Sequence, residues 1–316
     1  MSDCPIVFEP IAMERVWGGR RFETLRGKSL PHGTPVGELW EIVDREDAQS
    51  VVHSGSLAGR KLHDLWSSSL RTQIFGEPYR DHPSARFPIL VKLLDARERL
   101  SVQVHPPAGL AAVSGGEPKT EVWFFLDALP GARIYAGLRK GVTRSEFEAL
   151  LHGGNVERAL HEISVSSGES IFIPSGRLHA IGEGNLIVEV QQNSDTTYRV
   201  FDWNRTGLDG KPRTLHIEAS MASIDFEDFE PSAADRGNPL VADCEFFRVE
   251  KCDFTGPIEI RPRGRFALAT VVGGTVTCGN GQFEKGQMFL VPANAPAGEV
   301  KAFSGPAEIL VTTLPV

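Results

Sequence analysis

The chain has 316 residues, enough to bury a substantial core and to divide into one large and one smaller domain. A formal net charge of −8 and an isoelectric point near 5.7 argue against nucleic acid as a partner, so any phosphate must be held by a few local cations. No stretch approaches the roughly 18 uninterrupted apolar residues of a membrane-spanning helix. The opening M-S-D-C-P-I-V-F-E-P has neither the basic start nor the apolar run of a secretory signal; a soluble, cytoplasmic protein with no membrane partner is expected.

Glycine (32) and proline (21) are frequent and the apolar runs are short, which predicts a fold dominated by β-strands joined by turns. In chain order, a helix is expected over 61–75 around L-H-D-L-W, then strands over 88–94, 100–105 and 122–126. The segment T-R-S-E-F-E-A-L-L-H predicts a second helix, with Thr143 and Glu146 as a capping box and Phe147, Leu150 and Leu151 as its apolar stripe. Strands follow over 170–174, 186–191 and 199–203. The few helices read as packing elements laid on a sheet. A polar, acidic, Pro/Gly-containing stretch over 229–239 sets the boundary between domains 1–230 and 231–316.

Gln103 and His105, in L-S-V-Q-V-H-P, are two apart in a strand and so project from one face, the way a sheet presents two metal ligands. Further on, Gly168 to His179 reads G-E-S-I-F-I-P-S-G-R-L-H. Its spacing G-x5-P-x-G-x2-H resembles the second conserved motif of cupin β-barrels, with His179 facing inward. Between the two lies K-T-E-V-W-F-F-L, where Lys119 and Glu121 again share a face. Gln103, His105, Glu121 and His179 together offer two imidazole nitrogens and two oxygens, a set that suits zinc and with open positions could also hold iron, manganese or cobalt.

A weak repeat appears 118 positions after Gly168: G-Q-M-F-L-V-P, from Gly286 to Pro292, echoes G-E-S-I-F-I-P but continues without a histidine. A second β-barrel of the same kind without a metal is the simplest account, giving two cupin-like jelly-roll barrels in all.

The segments F-P-I-L-V-K-L-L-D-A-R-E-R-L-S-V-Q-V-H-P, K-T-E-V-W, I-P-S-G-R-L-H-A-I-G-E-G and Q-Q-N-S-D-T-T-Y-R-V occur in order between Trp17 and Trp203. Together they resemble the type I phosphomannose isomerase family, in its short bacterial form without a long helical insertion. The resemblance implies one zinc ion per chain on Gln103, His105, Glu121 and His179, and interconversion of mannose 6-phosphate and fructose 6-phosphate, a small-molecule partner. It places Arg199 on the arginine regarded as catalytic, and Lys92, Ser101 and Lys119 on positions that look like phosphate contacts. The S-D-T-T-Y-R-V form differs from the S-D-N-x-x-R-A-G of long members around Arg199. A monomer or homodimer is expected.

The chemistry of an aldose–ketose interconversion asks for a divalent metal as Lewis acid, a fixed arginine to stabilise an enediolate, and a base. Glu189, ten residues before Arg199, is a candidate for the base; a carboxylate orienting His179 is the competing role. Two other classes stay open: an iron-dependent cupin dioxygenase, marked by oxygen uptake, and a non-catalytic sugar-binding or regulatory cupin, which would need neither base nor Arg199. Trp17 and Trp40 read as core or rim packing. His32, His53, His63, His82, His152, His161 and His216 show no ligand spacing, and Cys4, Cys244, Cys252 and Cys278 are scattered as reduced thiols.

Overall fold

A computed structural model describes residues 5–27, 30, 33–295 and 298–316, Ser114 by its backbone alone. Cys4 and His32 fall outside the described residues.

Short antiparallel strands assemble into two β-sandwiches. In the first, a six-stranded sheet runs in spatial order Ser170–Ile173, Glu121–Ala128, Asn185–Gln192, Ile89–Ala96, Ile11–Gly19 and Val36–Ile42. It faces a five-stranded sheet ordered Tyr198–Phe201, Val102–Val104, His179–Ile181, Arg133–Leu138 and Leu160–Ser164. Leu94, Trp123, Phe125, Ile171 and Ile187 from the first sheet meet Ile134, Ala136 and Ile181 from the second in one apolar cluster between them.

The second sandwich places Leu240–Asp243, Arg248–Phe254, Ala307–Thr313, Ala267–Gly273 and Met288–Val291 opposite Ile258–Glu259, Glu299–Ala302, Thr275–Cys278 and Gly281–Glu284. Its interior is filled by Ala269, Val271, Val276, Phe283, Phe289, Val300 and Ile309. The repeat noted in the sequence has a structural counterpart. Ser170–Ile173 and Met288–Val291 are each the last strand of their sheet, and each follows a glycine in the left-handed region, Gly168 at φ 90° and Gly286 at φ 84°.

Every residue of Ile89–Ala96 is buried. Such a strand reads I-L-V-K-L-L-D-A rather than alternating, because both faces of its sheet are covered. The outer face, through Ile89, Val91, Leu93, Phe124 and Val188, packs on Leu62, Leu65, Trp66 and Phe75 of the helical layer and on Phe247, Phe266, Leu290 and Leu310 of the second sandwich. Trp66 meets Phe75 and Phe87 edge-to-face at centroid separations of 5.0 and 5.2 Å, and Phe75 meets Phe266 at 5.2 Å. One continuous core thus joins both halves of the chain. Within 229–239, Phe229 bridges to Leu138 and Ala234 to Ser170.

The helix Arg144–His152 starts as its sequence predicts: the Thr143 hydroxyl accepts from the Glu146 amide (3.3 Å) and the Glu146 carboxylate accepts from the Thr143 amide (2.8 Å). The expected helix over 61–75 is instead two, Leu62–Ser67 and Leu70–Ile74, broken at Ser68, whose extended backbone (ψ −177°) cannot continue a helical turn. The strand expected over 199–203 is Tyr198–Phe201, ending short of Trp203, which takes a positive φ of 56°. Trp17 and Trp40 are both core residues.

Candidate metal centre and its cavity

Strand alternation delivers the polar groups to the space between the sheets. From the six-stranded sheet, Lys92, Glu121 and Glu189 share inward parity with Leu94, Trp123 and Ile187. Glu189 pairs in register with Lys92 on one side and Trp123 on the other. From the five-stranded sheet, Gln103 stands opposite both His179 and Arg199. The turn before His179 depends on Gly176, at φ 93°, whose amide donates to the His105 carbonyl (2.9 Å) and so ties the two ligand segments together.

His105, Glu121 and His179 are almost fully buried, and their donor atoms lie within 4.8 Å of one another. His105 Nε2 is 3.5 Å from Glu121 Oε2, His179 Nε2 is 3.7 Å from Glu121 Oε1, and Gln103 Nε2 is 3.2 Å from His179 Nε2. With zinc–ligand bonds of roughly 2.0–2.1 Å, the edge of a tetrahedron is about 3.4 Å, so these separations are those of ligands around one ion. Turning the Gln103 amide by 180° presents its carbonyl oxygen at the same point.

Each histidine donates from Nδ1 to a backbone carbonyl, His105 to Thr196 (2.8 Å) and His179 to Arg177 (2.9 Å), which leaves both Nε2 lone pairs aimed at Glu121. Burial pushes His105 down to about 4, helped by Lys119, and burial likewise lowers His179. Burial opposes the charge on Glu121, but Lys119 and then His105 outweigh it and hold the carboxyl well below the usual carboxylate range. The set is therefore two neutral imidazoles and one carboxylate, the protonation state a divalent cation requires. Glu121 Oε1 is buried without a hydrogen-bond partner, and the Lys119 ammonium, bonded to Glu121 Oε2 and 3.3 Å from His105 Nε2, places a positive charge where the donors converge. The residues present fit a metal ion.

A cavity of about 400 Å³ opens beside this cluster. Lys92, Ser101, Gln103, Lys119, Glu189 and Arg199, all singled out in the sequence, line it. Glu189 Oε1 is shared by Lys92 (3.1 Å) and Lys119 (3.3 Å), and its Oε2 accepts from the Trp123 indole (3.1 Å). Glu189 does not orient His179, whose Nδ1 is taken by the Arg177 carbonyl. Burial would lower Lys119, but Glu121 and Glu189 raise it above its ordinary value. Ser101 Oγ lies 3.4 Å from Gln103 Oε1.

The cavity also has walls that sequence reasoning missed: Arg15, Glu38, Asp195 and Arg213. Glu38 binds Arg15 (2.9 Å) and the Trp40 indole (2.7 Å). Burial works against its charge, yet Lys92 and Arg15 bring it down to about 2. A signal for Asp195 was present, since it stands in the same S-D-T-T-Y-R-V segment as Arg199; Arg15 and Arg213 lie far from the motifs and carry none. Elsewhere, His63 binds Asp44 (3.1 Å), His82 packs on Trp66, and among the described residues Cys244, Cys252 and Cys278 form no disulfide.

Residues 7–122 match the family model described as phosphomannose isomerase type I, catalytic domain. The chain is 34% identical to mannose-6-phosphate isomerase ManA of Bacillus subtilis (strain 168) over 331 aligned positions, covering 99% of this chain and 100% of that protein. It is 32% identical to the mannose-6-phosphate isomerase of Streptococcus mutans, with 98% of each chain covered. The crystal structure of the mannose 6-phosphate isomerase from Bacillus subtilis superposes with a TM-score of 0.86 at 30% identity, over 99% of this chain and 100% of that one. A mannose 6-phosphate isomerase structure bound with zinc and yttrium shares the fold, with a TM-score of 0.71 at 15% identity over 99% and 100% of the two chains. With a His–Glu–His cluster that could hold a metal in the first sandwich and 32–34% identity to these relatives over nearly its whole length, the chain belongs to the type I phosphomannose isomerase family.

Proposed function

We propose that this protein is a zinc-dependent aldose–ketose isomerase that interconverts mannose 6-phosphate and fructose 6-phosphate through an enediolate. The observation that carries the reading is the buried His105, Glu121 and His179 set with Gln103 beside it, the two imidazoles preorganised by backbone carbonyls, next to a cavity lined by Gln103, Arg199 and Glu189. One zinc ion on these four side chains would polarise the sugar oxygens as a Lewis acid. The division of labour places that chemistry in residues 1–230, with 231–316 as the second, apolar-filled barrel.

The chain's own groups supply the rest. The cavity is set between two sheets, whose low-dielectric walls strengthen the charge contacts within it. Lys92, Ser101 and Lys119 line it beside the metal ligands and hold the phosphate of the sugar. Arg199, on the strand next to Gln103, brings a positive charge to the oxyanion that develops as the proton leaves carbon. Glu189 accepts that proton at Oε1 and returns it to the neighbouring carbon; Lys92 and Lys119 hold Oε1 at the cavity wall, and Trp123 fixes Oε2.

The deciding experiment is a coupled assay for mannose 6-phosphate conversion with and without a chelator, beside His179→Ala. Activity that is lost on chelation and returns with zinc supports the reading. A metal-replete protein with no isomerase activity overturns it, and oxygen uptake would point to an iron-dependent oxygenase instead.

A further inference from the structure

The strand that carries Arg199 lies at the edge of its sheet, so one side of its backbone has no neighbouring strand. On the other side Arg199 stands opposite Gln103, and the register breaks between Arg199 and Phe201. Pairing with Val102–Val104 therefore holds Arg199 from one side only, next to an irregularity that loosens the ladder. Stabilising an oxyanion asks for more, a donor fixed to within about 0.5 Å.

The missing neighbour is supplied by residues 214–216, which belong to no regular element. The His216 amide donates to the Arg199 carbonyl (2.8 Å), the Arg199 amide donates to His216 Nδ1 (3.1 Å), and Arg199 Nη1 donates to the Thr214 carbonyl (2.9 Å). Both backbone groups of Arg199 thus turn away from Gln103. That makes the two residues a non-hydrogen-bonded antiparallel pair, the kind whose facing side chains come closest. With Nη1 tied to Thr214, Arg199 Nε is buried and has no partner among the described residues, on a side chain that lines the cavity.

Residues 214–216 are themselves anchored at both ends. On one side Arg213 grips Asp202, Nε to Oδ2 at 2.7 Å, and Asp202 also holds Arg205 (2.9 Å), so one carboxylate on the Arg199 segment closes both feet of the intervening loop. On the other, the His216 carbonyl accepts from the Ser220 amide (2.8 Å) in the first turn of the helix Ile217–Ser223, whose Met221 packs with Val104, Leu178 and Val200. The His216 ring rests against Tyr198, centroids 6.1 Å apart. Burial, and then the charge of Arg199, lowers His216 from its ordinary value, so the imidazole stays neutral and Nδ1 keeps the lone pair that the Arg199 amide uses.

We propose that His216 is a positioning residue for the isomerisation: through its amide and Nδ1 it holds the Arg199 backbone, and so keeps the Arg199 guanidinium aimed at the sugar oxygen that becomes negative in the enediolate. The proposal rests on the isomerase reading for the role of Arg199; the hydrogen bonds that fix Arg199 do not. His216 does not line the cavity, so its contribution is one of geometry, felt where charge develops in the transition state rather than in binding of the sugar. Asparagine can stand in for it, because its Oδ1 sits on the same Cγ as the imidazole Nδ1, whereas leucine offers no acceptor and glutamine offers one a carbon further out.

The test compares wild type, H216L, H216Q, H216N, R199Q and the double variant R199Q/H216L, all metal-replete, in mannose 6-phosphate kinetics and in hydrogen exchange at the Arg199 amide. H216L and H216Q are each expected to lower kcat by about 10- to 100-fold with KM within about twofold, and to speed exchange at the Arg199 amide by about tenfold. H216N should recover most of both losses. Added to R199Q, H216L should change kcat by less than about twofold, because no guanidinium is left to position. Unchanged kcat in H216L and H216Q, an H216N no better than H216Q, or a full further loss in the double variant overturns the proposal. If the wild type does not turn over mannose 6-phosphate, yet exchange at the Arg199 amide is fast in H216L and slow in H216N, the isomerase reading fails and the fixing of Arg199 by His216 stands.

Discussion

Glu121 Oε1 lies 3.7 Å from His179 Nε2 and has no hydrogen-bond partner although its side chain is fully buried. A buried carboxylate oxygen left open beside an imidazole lone pair is costly unless a cation binds there.

Metal removal is therefore expected to destabilise the fold as well as abolish activity. An ion at 100-fold excess over its Kd contributes about 2.7 kcal/mol, or roughly 5 °C in melting temperature for a chain of this size. Calorimetry on chelated and zinc-restored protein, with elemental analysis, measures this. A melting temperature that stays put after verified metal loss would count against the site.

Glu189 shares Oε1 between two lysines and anchors Oε2 to Trp123, so it can be changed without touching a metal ligand. Glu189→Gln should keep full zinc content and lose about 10²- to 10⁴-fold in kcat if the carboxylate moves the proton. Near-normal turnover would remove Glu189 from the mechanism.

Glu38 links acid stability to the cavity wall. Its carboxyl is brought from 4.5 to about 2 by Lys92 and Arg15 against the opposing effect of burial. Because the folded value is depressed, the stabilisation is complete above about pH 4.5 and fades as pH falls towards 2. Its full size is on the order of 3 kcal/mol. Melting curves of wild type and Glu38→Gln should differ most near neutrality and converge below pH 4.5; a constant gap across that range would refute the assignment.

Gly176 sits at φ 93° between Pro174 and His179, where no Cβ is sterically comfortable although the nearest atom leaves room for one. Gly176→Ala is expected to cost about 1–2 kcal/mol through backbone strain. Since the same residue hydrogen-bonds the His105 carbonyl, zinc affinity should fall with stability. A variant that loses stability while binding zinc as tightly as wild type would show that the two ligand segments are not coupled through this turn.

Much of the catalytic half was legible in the sequence, because its rules are local. Period-two alternation put Gln103 with His105 and Lys119 with Glu121 on shared faces, and a glycine–proline spacing aimed His179 inward. The Thr143 capping box named its helix for the same reason: its hydrogen bonds close within three residues. The strands Ile11–Gly19, Val36–Ile42 and Arg133–Leu138 were missed, since their patterns mix charged and apolar residues and only their neighbours in the sheet decide their state. The 61–75 segment broke in two at Ser68 because its apolar residues bury against the second sandwich as two short pieces.

The sequence by itself determined which side chains could be metal ligands and that strands would carry them, since residue type and alternation need no distant partner. Only the tertiary structure decided how those ligands are aimed and charged. The carbonyls that fix the two imidazoles come from Thr196 and Arg177, the ammonium beside Glu121 also meets Glu189 across 70 residues, and Arg213 reaches the cavity because 213–216 runs beside Tyr198–Phe201. The Thr196 and Glu189 contacts join segments 91 and 70 residues apart, and electrostatics in a buried site depends on distance in space, which spacing along the backbone does not encode.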